Sequence, residues 1–136
     1  PIVDVARLAL NRARLTPDDI GFINAHATAT GQNDSTEASA IREVFGGNAG
    51  NIPVSATKPA TGHLLGGSGL LEVVWTTYAL EERLAPPTLH TDAVSDDCGG
   101  IRLTTSGAEP IDGNKAALSW NFGFGGHIGV AIISRD

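Results

Sequence analysis

Lys58 and His63 stand five residues apart in the run Lys58-Pro59-Ala60-Thr61-Gly62-His63. That run joins a short apolar stretch, Ile52 to Ser55, to a long one, Leu64 to Leu84. An ammonium and an imidazole beside so much apolar surface are costly unless they are hydrogen-bonded or put to use. His26 has the same setting, directly after the apolar stretch Ile20 to Ala25. If both short stretches are strands of one α/β sheet, both histidines follow carboxyl ends of strands, where such sheets bind ligands. Glu72, nine residues beyond His63 inside the long apolar run, needs a partner, and Lys58 is the nearest candidate by position. The residue types alone leave three readings open. The histidines are structural and Lys58–Glu72 is a buried ion pair, or the group is catalytic, or the histidines ligate a metal. The metal reading is the weakest, because no Cys, Asp or Glu stands at a matching spacing.

The run Phe122-Gly123-Phe124-Gly125-Gly126 holds too many glycines for a strand interior. It reads either as a tight turn between two strands or as a close approach of backbone to a ligand, with the aromatic rings as its wall. It joins two strands and opens no helix, so it is not a dinucleotide loop. Cys98 follows Asp96 and Asp97. Acidic neighbours raise a thiol pKa, so Cys98 reads as an inert loop cysteine. His90 and His127 read as surface or turn residues.

The elements that must position these groups follow from pattern. Ile2 to Arg14 reads as a helix with Asp4 in its first turn. Thr16-Pro17-Asp18-Asp19 has the signature of a helix start and opens a single turn. Ile20 to Ala25 and Ile52 to Ser55 read as strands around a helix that Asp34 or Ser35 caps and that ends near Phe45 at Gly46-Gly47-Asn48. A long buried helix runs on to about Leu84, and Pro86-Pro87 stops it. Ile101 to Thr104, Ala116 to Asn121 and Ile128 to Ser134 read as further strands. This order argues for an α/β fold with a mixed sheet and covering helices, in one domain of 136 residues.

Composition excludes several classes. The net charge of -6 and the lack of a Lys/Arg cluster argue against nucleic acid as a partner. The longest apolar run carries a histidine, glycines and a glutamate, which argues against a membrane span. A single cysteine excludes an internal disulfide framework and fits a reducing compartment such as the cytoplasm. There is no methionine and the chain begins at Pro1, which suggests a piece of something larger.

Taken together, these residues resemble a known family. Asn24-Ala25-His26-Ala27-Thr28-Ala29-Thr30, Asp34, Glu37, Lys58 to His63 with Leu64-Leu65-Gly66, Glu72, Pro86-Pro87-Thr88 and Asn121 to Gly126 occur in the order and spacing of the β-ketoacyl-acyl-carrier-protein synthases. The chain is most similar to the elongating, type II condensing enzymes, and the similarity covers nearly its whole length. The resemblance implies the C-terminal half of a thiolase-like αβαβα fold across residues 1–136, with the nucleophile-bearing N-terminal half absent. It implies condensation of malonyl-acyl carrier protein with an acyl thioester, releasing carbon dioxide. Acyl carrier protein, the N-terminal half and a second subunit in a homodimer or heterodimer would be the partners, and no cofactor is implied.

Residue by residue, the resemblance assigns His26 and His63 to the malonyl thioester. Both would be neutral with Nε2–H toward the substrate, each needing an acceptor on its other nitrogen. Lys58 would organise this network, with Glu72 as its buried partner. Phe124 would gate the site beside Phe122, its backbone N–H serving the acyl oxyanion, and Thr28 and Thr30 would contact pantetheine. Three departures stand out. Ala27 replaces a usual glycine, His127-Ile128 replaces a usual Thr-Asn, and Gln32-Asn33-Asp34 differs from the usual Gly-Asp ending. The last is similar to aromatic-polyketide ketosynthases and leaves fatty-acid and polyketide elongation both open. Two alternatives are a degenerate chain-length-factor-like subunit, which retention of His26, His63 and Lys58 disfavours, and an inactive carrier-protein-binding module.

Overall fold

Ile20–Asn24 forms β1, and all five of its residues are buried. A strand hidden on both faces belongs at the centre of a sheet, and β1 sits there. In the computed structural model, which describes residues 1–135, it pairs in parallel with β2 (Pro53–Ser55) on one side and β6 (Ala116–Gly123) on the other. β4 (Arg102–Leu103) extends the sheet beyond β2, and β7 (His127–Ile133) closes the other edge as an antiparallel hairpin with β6, giving the order β4-β2-β1-β6-β7. Two short strands unmarked in the sequence, β3 (Leu84–Ala85) and β5 (Glu109–Pro110), pair separately.

Period-2 alternation along β6 sorts the two layers. Ala116, Leu118 and Trp120 pack into the core under α1 (Ile2–Ala13) and α2 (Gly31–Phe45), with Ala6, Leu10, Ile41, Val44 and Phe45. Ala117 belongs to the second core, with Phe22, Ala79, Leu80 and Ile111, under α4 (Ser68–Glu82). In β1 the register shifts between Ile20 and Phe22, so Ile20 and Ile23, three apart, both reach the first core. Helices therefore cover both faces of a mixed sheet.

Two local expectations are corrected. α2 begins at Gly31, not after Asp34 or Ser35; the Ser35 hydroxyl instead donates back to the Gly31 carbonyl at 2.7 Å from inside the helix. The long helix does not start at Leu64. The four-residue helix α3 (Lys58–Thr61) ends at Gly62, whose φ of +76° suits glycine. A 3-10 turn at Leu65–Gly67 follows, and α4 proper starts at Ser68. Nor is α4 buried all round. Its inward residues are Ser68, Glu72, Thr76, Ala79 and Leu80, while Leu70, Val74, Trp75 and Tyr78 are exposed. Its polar groups face the sheet because the sheet's carboxyl end offers them partners. No helix among the described residues is long and apolar enough to cross a membrane.

The central strand sets the main stability expectation. Ile23 is fully buried between the pairings to Val54 and Leu118. Ile23→Ala should lower the unfolding free energy by about 2–5 kcal/mol, read as a shift of the urea midpoint at constant m-value.

Candidate active site

The three parallel neighbours β2, β1 and β6 end side by side, with Asn24 opposite Ser55 and Ser119. Lys58 lies just beyond β2, His26 just beyond β1, and Asn121 and Phe122 at the end of β6. β7 has no part in this row, because it runs the other way.

Lys58 is the hub. It is 7% exposed, and its ammonium donates to the Glu72 Oε1 carboxylate oxygen, to the His26 carbonyl and, at 3.2 Å, to His26 Nδ1. An ammonium has three N–H donors and all three are placed. Glu72, 2% exposed, takes a second donor on Oε2 from Asn121 Nδ2 at 2.6 Å. Asn24 Nδ2 donates to the Glu72 carbonyl and to Thr76 Oγ1, both at 3.1 Å, and so fixes that turn of α4 against β1.

These partners also set the tautomer of His26. Asn121 Oδ1 lies 3.2 Å from His26 Nδ1, as close as Lys58 Nζ, and would suit a protonated Nδ1. The lysine decides the competition: it can only donate, its bond is charge-assisted, and it needs the Nδ1 lone pair. The ring proton is then on Nε2. Burial, reinforced by the Lys58 charge, lowers the His26 pKa to about 4, so the ring is neutral at pH 7. Burial also raises the Glu37 carboxyl to about 7, against the pull of N–H donors from Ala27, His26 and Trp120. The two shifts act on stability with opposite signs. As pH falls from 6.5 to about 4 the unfolded chain gains a proton that His26 refuses, and stability is lost. As pH rises from 4.5 to about 7 the unfolded chain releases a proton that Glu37 keeps, and stability is also lost.

His63 is exposed and its ring meets that of His26 edge to face, with centroids 5.7 Å apart and planes at 88°. The Leu65 N–H donates to His63 Nδ1 at 3.0 Å, and Ser68 Oγ lies 2.9 Å from the same nitrogen while accepting the Leu64 N–H. A backbone N–H can only donate, so this ring too keeps its proton on Nε2. The sequence reading expects an acceptor on the second nitrogen of each ring. His26 Nδ1 has Asn121 Oδ1 beside it as well as the Lys58 donor, and His63 Nδ1 takes the Leu65 N–H; an Nε2–H tautomer, with its lone pair on Nδ1, requires the donor in each case. The two rings offer two neutral N–H donors side by side.

The remaining residues named from the sequence fall in three places. Phe122 packs edge-on against His26 at 5.1 Å. Phe124 stands in the β6–β7 turn with 92% of its surface exposed. Thr28 and Thr30 hydrogen-bond to each other at 3.0 Å in the loop before α2. Ala27 has φ +36°, a left-handed backbone that suits the glycine usual there and strains an alanine. Cys98 is away from the rings. It lines a cavity of about 230 Å³ behind the histidine loops, with Ala27, Ala38, Ile41 and Val94. His90 and His127 are exposed. Sequence reasoning missed Asn121, Ser68 and Asn24 as partners in the network. Their signal was weak, because Asn and Ser near turns and helix starts are ordinary. Among the described residues no group of three or more His, Cys, Asp or Glu is placed to hold a metal ion.

Comparison with known proteins places this mixed, helix-covered sheet among thiolase-like folds. The chain belongs to the β-ketoacyl synthases: residues 2–92 match the family described as "Beta-ketoacyl synthase, C-terminal domain". It is 45% identical over 120 residues to 3-oxoacyl-[acyl-carrier-protein] synthase 2 of Synechocystis sp., covering 88% of this chain and 28% of that protein. It superposes on a β-ketoacyl synthase from Burkholderia phymatum with a TM-score of 0.92 and 32% identity, over 99% of this chain and 32% of that one. A type II PKS ketosynthase, solved in complex with its acyl-carrier protein and bound to the hexaketide, gives a TM-score of 0.91 at 29% identity, over 99% of this chain and 33% of that one. The chain thus spans about a third or less of the length of these relatives.

Two stability measurements probe the site. Glu72→Ala leaves the buried Lys58 ammonium without its carboxylate and should cost about 3–5 kcal/mol, whereas a Lys58→Met/Glu72→Leu double variant should cost less. Ala27→Gly relieves the left-handed strain and should raise the unfolding free energy by about 1 kcal/mol, seen as an increase in Tm.

Proposed function

We propose that this chain supplies the decarboxylation half-site of a ketoacyl synthase that condenses malonyl-acyl carrier protein with an enzyme-bound acyl thioester. The observation that carries the reading is the pair of neutral imidazoles, His26 and His63, 5.7 Å apart with donors on both Nδ1 atoms. When the malonyl carboxylate leaves as carbon dioxide, the electron pair of the broken C–C bond moves into the thioester and negative charge grows on its oxygen. Two Nε2–H groups aimed at that oxygen stabilise the enolate, and being neutral they do not trap the departing carboxylate. The enolate carbon then attacks the acyl thioester carbonyl and expels the thiolate that carried it.

The thiolate is not Cys98, which is buried away from the histidines behind two acidic neighbours. The nucleophile is therefore assigned to an N-terminal half outside these residues, and the chain alone is expected to be inactive. Lys58 and Glu72 hold the histidines. Phe122 lines the site, Phe124 gates it from the turn once the other half is present, and Thr28 and Thr30 meet the pantetheine arm. The partners are acyl carrier protein, the nucleophile-bearing half and a second subunit, in the cytoplasm; the Synechocystis relative is named for an acyl-carrier-protein substrate, and the type II PKS ketosynthase was solved with its acyl-carrier protein.

The test is malonyl-carrier decarboxylation by the complete enzyme that contains these residues. His26→Ala and His63→Ala should each lower kcat about 10²–10³-fold, the effect of removing one oxyanion donor. Wild-type rates in both variants would contradict the assignment.

A further inference from the structure

We infer that Trp120 is a positioning residue for His26, acting through Glu37 to clamp the backbone that carries the imidazole; this rests on the reading of His26 as an oxyanion donor. The side chain of Glu37 comes from α2, on the face of the sheet opposite α4, and is 2% exposed. Its Oε1 accepts the His26 N–H at 2.6 Å and the indole N–H of Trp120, and its Oε2 accepts the Ala27 N–H at 2.8 Å. No lysine or arginine pairs with it among the described residues. Its carboxylate is therefore held only by N–H donors, and Trp120 provides the one that comes from a different strand.

Trp120 is fully buried, so its single donor must find a partner inside the protein. It reaches His26 by a second route as well. Its ring lies 5.8 Å from Phe122, which itself lies 5.1 Å from the His26 imidazole. The clamp has a job that core packing alone would not set. Ala27 carries φ +36°, a strained backbone that persists only where surrounding contacts over-determine it. Glu37 grips the N–H groups on both sides of the His26 Cα–C unit, while Lys58 takes the carbonyl of His26. Without the indole, one oxygen of Glu37 loses a fixed direction, and the His26 backbone can turn away from the strained geometry.

The variant is Trp120→Phe in the complete enzyme, which keeps an aromatic ring and removes the donor. Decarboxylation kcat should fall about tenfold at unchanged KM, less than the loss of a donor itself costs, and the backbone amide and ring nitrogen resonances of His26 should move. A Trp120 that is only core would lower stability and leave both readouts at wild-type values in the folded enzyme, which would overturn the proposal. If the variant does not fold, the unmodified enzyme decides. As Glu37 takes up a proton, the Trp120 indole N–H and the His26 and Ala27 amide signals should titrate with one shared midpoint. Asp34 on α2, His26 itself, Lys58 beyond it and Cys98 across the cavity are the other titratable groups about Glu37. Separate midpoints, or signals that do not move, overturn it. If His26→Ala leaves decarboxylation unchanged, the functional reading fails, and the resonance shifts still decide the clamp.

Discussion

The site depends on one buried ammonium. Lys58 Nζ holds a carboxylate, a backbone carbonyl and an imidazole nitrogen at once. Each tie removes a freedom that the histidine would otherwise have. The bond to the carbonyl fixes where residue 26 sits, and the bond to Nδ1 fixes which nitrogen carries the proton. Glu72 makes the lysine tolerable in a place with almost no water, since a lone buried ammonium is far more costly than a paired one. Asn121 and Asn24 then tie Glu72 to β6 and β1. The arrangement draws on β1, β6, α3 and α4, so it forms only when the sheet does.

The sheet makes this possible by its register. Three parallel strands ending in a row bring residues 26, 58 and 121 together from positions far apart in the chain. Alternation along β6 sends Trp120 to the α2 face and Asn121 to the α4 face. Two carboxylates, Glu37 and Glu72, thus approach His26 from opposite sides of the sheet. One grips its N–H, and the other, through Lys58, its carbonyl. Such a residue is held at both ends of its backbone, as an electrostatic site needs if its donors are to be in place before charge develops.

Much of this was legible in the sequence. His26, His63, Lys58 and Glu72 stood out because charged or imidazole groups next to apolar runs demand a reason. The succession of elements along the chain and the mixed sheet followed from short apolar runs separated by helical ones. Other parts were hidden. Asn121 looked like the last residue of a strand and Trp120 like any large core side chain; only the register shows that they face different carboxylates. The start of α4 was hidden because Leu64 and Leu65 continue its apolar pattern, while Gly62, Gly66 and Gly67 let the chain turn before Ser68. Its exposed face was hidden because composition cannot say which side of an apolar helix meets the sheet. The departure at Ala27 was visible, but its cost became readable only with the backbone angle.

The exposed row of Leu70, Val74, Trp75 and Tyr78 on α4 lies on the side of the helix away from the sheet. An apolar face of this kind on an otherwise ordinary domain is a surface made to be covered. It agrees with a chain that spans about a third or less of the length of its relatives.

The central claim is that both imidazoles are neutral and carry their protons on Nε2. Long-range proton–nitrogen correlation spectra of the histidine rings at pH 7 test it directly. The account predicts that in His26 and His63 alike Nδ1 shows the shift of an unprotonated acceptor and Nε2 that of an N–H. An Nδ1–H tautomer or an imidazolium in either ring would contradict it.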